Sequence, residues 1–281
     1  FNVAFNMSAI KNKMTELDGD VSYIGLPTSV IHSLNFDQEV SRSAIGQPIG
    51  SFYAYKEDGL FQSEAEIKSY TNNKGELLQP NAKPGDIKFV DVNGDGVIDG
   101  NDRDYIGNPL PDVTAGLTLG VNFHNFDLSL FFQGMFGNDV YDLTRYVGDF
   151  YNQSQYNKNS RVVNAWTPTN TNTDIPRVTM DDPNNNIRPS SYYVQDASFV
   201  RLKNMKIGYS VPQSILSKIK FNSLYIYAQA TNLFTITGYD GIDPEVGLQS
   251  YSSDYRNLDM GVDRGIYPLS RTFTFGVNVS F

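Results

Sequence analysis

Cysteine is absent from all 281 residues, which excludes a disulfide framework and any thiolate metal site. Basic runs are absent too: 22 Lys and Arg stand against 31 Asp and Glu, for a net charge of −9. Nucleic-acid binding and polybasic anchoring to an anionic membrane surface both need clustered positive charge, so neither fits. No stretch comes near the ~20 consecutive apolar residues that a membrane-spanning helix requires. Histidine occurs twice, at His32 and His124, far apart in sequence, a thin basis for a metal pair or a hydrolase. No phosphate-binding glycine loop is present; NGDG reads as a turn. The chain opens on Phe1 in mid-pattern, without Met or a secretion signal, and reads as a segment whose true start lies upstream.

Aromatics and glycine are plentiful, with 18 Tyr, 18 Phe and 23 Gly. Tyr and Phe suit strands and interfacial girdles, and Gly suits bends and close backbone approach. In the last segment Phe273, Phe275, Val277, Val279 and Phe281 alternate with Thr274, Gly276, Asn278 and Ser280. Period-two alternation puts one set on each face of a strand, and its length is about what a tilted strand needs to cross a bilayer (~9–11 residues). Val113 to Phe123 alternates in the same way. A tight turn at His124-Asn125 leads into a partner strand with Phe126, Leu128, Leu130, Phe132 and Phe136 on one face, predicting a hairpin. Strands are also predicted from Phe1 to Ser8 and over 224–230. Across Val200–Val211 the phase flips near Lys203-Asn204, which predicts a β-bulge. A weaker strand is read in 46–57, making about seven.

The connections predicted between these strands are unequal. Two are short, at His124-Asn125 and Pro212–Phe221; three are long, 58–112, 137–192 and 235–266. Such loops are unusual in a compact soluble domain, whereas bacterial barrels join short periplasmic turns to long extracellular loops. With the last strand ending in the periplasm, all three long segments fall outside. Residues 11–45 break the pattern, as a long periplasmic connection or a hidden strand pair. Seven strands do not close a membrane barrel, whose smallest form has about eight, so part of a larger barrel is expected.

One motif carries metal chemistry. In DVNGDGVIDGND, Asp91, Asn93 and Asp95 occupy positions 1, 3 and 5 of a calcium loop. Gly96 takes the sharp turn, Val97 offers its carbonyl, and Asp99 and Asp102 stand at positions 9 and 12. Ile98 would be the apolar anchor. Position 12 is Asp where Glu is usual, and no amphipathic helices flank the loop. Structural Ca2+ is expected; an Asx-rich turn without metal is the plainer alternative. Trp166, in a polar Asn/Thr-rich stretch, reads as a sugar platform or as loop packing. Tyr239 and Asp243, beside Asp243-Pro244-Glu245, are substrate candidates or turn residues.

Several segments, in order, resemble the C-terminal barrel of SusC/RagA-type TonB-dependent transporters of Bacteroidetes. They are GQPIGSFYAYKEDGLFQS, PGDIKFVDVNGDGVIDGNDRDYIGNPLPD, FDLSLFFQGMFGNDVY, WTPTNTNTDIPR, FVRLKNMKIGYSVP, YAQATNLFTITGYDGIDPEV and the terminal RTFTFGVNVSF. The likeness runs from about residue 46 to 281. It implies an all-β fold: residues 1–281 would be the C-terminal part of a 22-stranded transmembrane antiparallel barrel with a plug, the plug itself lying outside this chain. It implies import of glycans or peptides across the outer membrane, with no catalytic residue. The implied partners are the remainder of the transporter, a SusD-like surface lipoprotein and TonB. Phe273, Phe275, Val277, Val279 and Phe281 would carry the barrel-assembly signal.

Two other readings compete. A soluble, calcium-stabilised, glycan-binding β-sandwich also has alternating strands. A glycoside hydrolase could use the pair Asp240 and Asp243.

Overall fold

Six long strands stand side by side as a wall, and the connections between them fold into a body at one end. The structure is a computed structural model that describes residues 1–25, 38–151, 157–219, 221–248 and 258–281. The wall opens with β1 (Asn2–Ala9). The first connection carries β2 (Tyr23–Gly25), β3 (Ser41–Ala44), β4 (Ser51–Tyr55), β5 (Glu57–Leu60), α1 (Glu64–Ser69), β6 (Ile87–Phe89) and β7 (Arg103–Gly107). Then β8 (Val113–Phe123) and β9 (Phe126–Phe136) form the predicted hairpin, followed by β10 (Asp139–Asp142), α2 (Thr144–Asp149) and β11 (Val194–Asp196). The wall continues with β12 (Phe199–Ser210), the short helix α3 (Gln213–Ile219) and β13 (Ser223–Thr231). Last come β14 (Thr235–Thr237), β15 (Val262–Asp263) and β16 (Thr272–Ser280).

The wall order is β1-β8-β9-β12-β13-β16, with β14 paired to one end of β12. All these pairings are antiparallel. The registers align Phe5 with Leu117, Leu117 with Phe132, Leu119 with Leu130 and Leu130 with Met205; beyond the hairpin, Ile207 meets Ala228 and Ala228 meets Phe275. One face of the sheet is therefore a continuous apolar band. The other presents Asn6, Thr118, Ser129, Lys206, Gln229 and Thr274. Alternation with period two, repeated in register, produces two faces of opposite character.

Lys203 is the bulge: the β9–β12 register shifts between Leu202 and Asn204. The hairpin turn holds His124 at φ 55°, the left-handed conformation that tight hairpin turns demand. On the polar face the Tyr225 hydroxyl donates to Asp127 at 2.9 Å, and the Lys206 ammonium sits 5.0 and 4.7 Å from the Tyr225 and Tyr227 ring centres. Tyr227 lies across Gly276 so closely that a Cβ there would stand 2.3 Å from its ring. Glycine is required for that ring to lie flat on the sheet.

Two sequence expectations change. The strand read in 46–57 does not join the wall: Ser51–Tyr55 pairs with β3 and β7 in a separate four-stranded sheet. Strand β4 is buried or half-buried along its whole length, so its residues carry no strict alternation. With this strand removed, residues 10–112 form one connection between antiparallel neighbours β1 and β8. It leaves from the same end as 137–198 and 232–271. Within 11–45 the described residues hold a short strand pair, β2 with β3, at this end, and the long periplasmic connection disappears.

The core lies in this end body. Phe52, Ile87 and Phe89 from the first connection meet Tyr141, Leu143, Trp166, Tyr192 and Tyr193 from the second, and Leu258 and Val262 from the third. Strand β10 pairs antiparallel with β11 and parallel with β15. Tyr55 bridges to Ser190, and Arg177 closes on buried Asp86 at 2.6 Å. The wall's apolar band, by contrast, is open: Val3, Phe5, Phe126, Phe273 and Phe275 are exposed. A β-sandwich would bury this face under a second sheet, and among the described residues none covers it, which disfavours that reading.

Candidate functional site

In the acidic turn, Gly94 and Gly96 take positive φ of 72° and 90°, and the side chains stitch the loop to itself. The two oxygens of Asp91 accept from the Gly94 and Gly96 amides at 2.7 and 2.9 Å. Asn93 Oδ1 accepts from the Asp95 amide at 2.8 Å and Asp95 Oδ1 from that of Val97 at 2.9 Å. Asp99 and Asp102 form a capping box on a short 3-10 turn. Asp102 is wholly buried; its oxygens accept from the amides of Val92 at 2.9 Å and Asp99 at 2.7 Å. It clasps the loop from within. Ile98 packs on the main core, as an anchor should. Among the described residues, no three Asp, Glu or His side chains converge closely enough to hold a metal ion.

Trp166, Tyr239 and Asp243 are all buried. Trp166 donates from Nε1 to Gln62 Oε1 at 3.0 Å and packs on Gly85, where a Cβ would stand 2.4 Å from the indole. The Tyr239 hydroxyl donates to Asp263 at 2.7 Å; burial, with Asp142 and Asp263 nearby, pushes its ionisation far up. Asp243 accepts from Arg201 at 2.5 Å and from the amides of Glu245 at 3.0 Å and Leu269 at 3.1 Å. Burial opposes its ionisation, but these donors outweigh it and hold the carboxyl below the usual range. Each of the three is occupied in holding the end body together. Asp240 bonds Arg145 and Asp243 bonds Arg201, so the two carboxylates proposed for hydrolysis serve different arginines. His32 lies outside the described residues, and His124 is the turn residue.

A feature that sequence reasoning missed is a cavity of about 550 Å³ lined by residues from 142–145, 159–161 and 240–242. Arg145, 6% exposed, donates to the Tyr192 carbonyl at 2.8 Å and to Asp240 at 3.1 Å. Its Nε makes no hydrogen bond among the described residues; Asp142 stands 3.6 Å away. Arg161 donates to buried Asp149 at 3.0 Å and to Asp174 at 3.1 Å. Glu57 is pushed up to about 7 by burial first and by Asp174 second, against the pull of Arg145. Only Asp240 of this group stood out in the sequence, because residues so far apart share no local pattern.

Crossing strands with one apolar and one polar face, carrying long folded connections at a single end, define an outer-membrane β-barrel wall. No family model matches the chain. TonB-dependent receptor P3 of Formosa agariphila is 37% identical over 282 residues, covering 100% of this chain and 27% of that protein. TonB-dependent receptor SusC of Bacteroides thetaiotaomicron is 26% identical over 284 residues, covering 100% and 24%. Among solved structures, that of the RagAB peptide transporter superposes with a TM-score of 0.71 at 23% identity, over 99% of this chain and 26% of that one; it bears on the fold alone. The chain belongs to the SusC-type TonB-dependent receptors of the bacterial outer membrane. It spans about a quarter of the length of the curated relatives it matches. The relatives are receptors and transporters.

Proposed function

We propose that this chain forms the C-terminal stretch of barrel wall, with its extracellular end body, of an active importer of nutrient oligomers, glycans or peptides. The observation that supports this most is the alignment of the whole chain with TonB-dependent receptors, joined to a wall whose polar face can line a lumen. In this reading the chain performs no catalysis; import is driven through TonB, and a SusD-like surface lipoprotein closes the outer end. The lipid-facing Phe273, Phe275, Val277 and Val279, with Phe281, carry the barrel-assembly signal. The test is oligomer uptake by cells producing the intact receptor. Uptake should cease when the proton gradient is collapsed or TonB is removed; uptake indifferent to both refutes the reading.

We also propose that the 91–102 turn binds structural calcium. The side-chain oxygens of Asp91, Asn93 and Asp95, the Val97 carbonyl and Asp99 would supply the ligands. Asp102, wholly buried on the inner side of the turn, would shape the loop from within. The donor chemistry supports this: ligands are all oxygen, and each carboxylate oxygen keeps a further lone pair. A ligand that binds only the folded state raises stability. The unfolding midpoint of the receptor should therefore rise with millimolar calcium over EGTA, and the Asp91→Asn variant should lose the rise. Identical midpoints in calcium and EGTA for the unaltered receptor would reject the site.

A further inference from the structure

The cavity around Arg145 has the size and chemistry of a binding site. Ligand sites are concave, about 300–1,000 Å³, with a few fixed polar groups that orient the ligand. Here the fixed groups are the two guanidiniums. Each is held from behind by something buried: Arg145 by the Tyr192 carbonyl, Arg161 by the Asp149 carboxylate, whose side chain is wholly buried and also receives the Tyr192 hydroxyl at 2.6 Å. Each is met from the front by an exposed carboxylate. The Asp240 side chain is 62% exposed and that of Asp174 73%. Both carboxylates reach solvent, so a ligand can share or replace them. Among the described residues the buried Arg145 Nε makes no hydrogen bond, with Asp142 3.6 Å away, and a buried donor left unmade is costly. Donors and acceptors thus alternate around one opening.

The charge balance narrows the ligand. The carboxylates that line the cavity or pair with its arginines, Asp142, Asp149, Asp174 and Asp240, outnumber the two guanidiniums. An anionic ligand adds to that excess; a cationic one meets two arginines at close range. A peptide would want a free strand edge or several apolar pockets, yet among the described residues of the lining Ile242 is the one aliphatic side chain. A neutral polyol escapes every one of these penalties. Its adjacent hydroxyls donate to a carboxylate and accept from a guanidinium at the same time.

We propose that the Arg145–Asp240 cavity is a subsite for a neutral sugar ring of an oligosaccharide. This rests on the import reading and specifies one place where cargo is held. Arg145 supplies the fixed donors, Asp240 the adjustable acceptor, and Arg161 the opposite wall.

The experiment uses the intact receptor in detergent. Calorimetric titration compares neutral gluco-, manno-, galacto- and xylo-oligosaccharides of matched length with a galacturonic acid oligomer, an acidic peptide and a basic peptide. Asp240→Asn and Arg145→Lys are titrated in parallel, with unfolding midpoints recorded. Asp240→Asn alters an exposed group and tests the site even where Arg145→Lys fails to fold. At least one neutral series should bind, and Asp240→Asn should weaken it tenfold or more with an unchanged midpoint. The proposal is overturned if Asp240→Asn binds the neutral series as the unaltered receptor does. It is equally overturned if only a charged probe binds, or if no probe binds at all. TonB-dependent uptake measured on the same variants separates the two readings. Uptake retained by Asp240→Asn with unchanged affinity removes the subsite and leaves import standing; uptake independent of TonB in the unaltered receptor removes import itself.

Discussion

At the scale of single residues, charges are used here to fix loops to the wall. Arg201 is 2% exposed, and its partner Asp243 comes from the third connection, with Glu245 adding a second contact at 3.1 Å. Removing one member of a buried pair strands the other, at about 3–5 kcal/mol. Asp243→Ala should lower the unfolding midpoint accordingly, toward the smaller figure because Glu245 remains. The pH dependence has a definite sign. Asp243 is held below its ordinary range, so its contribution is full above the unfolded value of about 3.9 and is lost as pH falls through the lower folded value. Thermal scans from pH 6 downward should show a shallower acid limb in the variant. Glu57 works the other way. Raised to about 7 by burial, it binds a proton more readily folded than unfolded. Stability therefore declines as pH climbs from roughly 4.3 through 7. Glu57→Gln should flatten that decline, and equal slopes for the two proteins would contradict the assignment.

At the scale of elements, the wall was legible and the end body was not. Strands β8, β9, β13 and β16 announce themselves because each has one apolar and one polar face, which writes period two into the chain. The Lys203 bulge was legible for the same reason, as a break in that period. Strands such as β4, β10 and β15 span five residues or fewer and are packed on both sides. Their residues answer to neighbours far away in sequence, and no local period survives. The calcium-like spacing was visible, yet the inward turn of Asp102 was not, since spacing does not reveal which amides a carboxylate will meet. The bulge offers a direct test. Deleting Lys203 leaves Leu202 opposite Phe132 and Asn204 opposite Phe131 as consecutive pairs, so Arg201 keeps its face and only the local bend and the Lys203–Glu245 ion pair at 2.7 Å are lost. The deletion variant should keep heat-modifiable mobility on gels, the sign of a folded barrel, with a lowered unfolding midpoint; loss of that mobility would contradict the register.

At the scale of the whole molecule, the wall leaves two strands, β1 and β16, each paired on one side only among the described residues, and an apolar band open along its length. Unpaired backbone groups in lipid cost several kcal/mol each, and a long exposed edge invites association. Residues 1–281 produced alone should therefore form polydisperse aggregates in size-exclusion chromatography with light scattering. The same sequence within an intact receptor should elute as a defined particle in detergent. A monodisperse, folded product from the isolated segment would mean that the wall closes by some other route.

The end body is woven from three connections, and this dictates an order of events during assembly. Tyr141 meets Val262 through β10 and β15, and the Ser41 hydroxyl donates to the Leu258 carbonyl. Contacts so distant along the chain form late, because a long loop must close before they stabilise anything. The body cannot finish until the connection before β16 has joined the other two. An intermediate halted before β16 carries Phe52, Tyr141 and Tyr193 uncovered. That gives quality control a marker of incomplete assembly: aromatic surface that disappears only when β16 is in place.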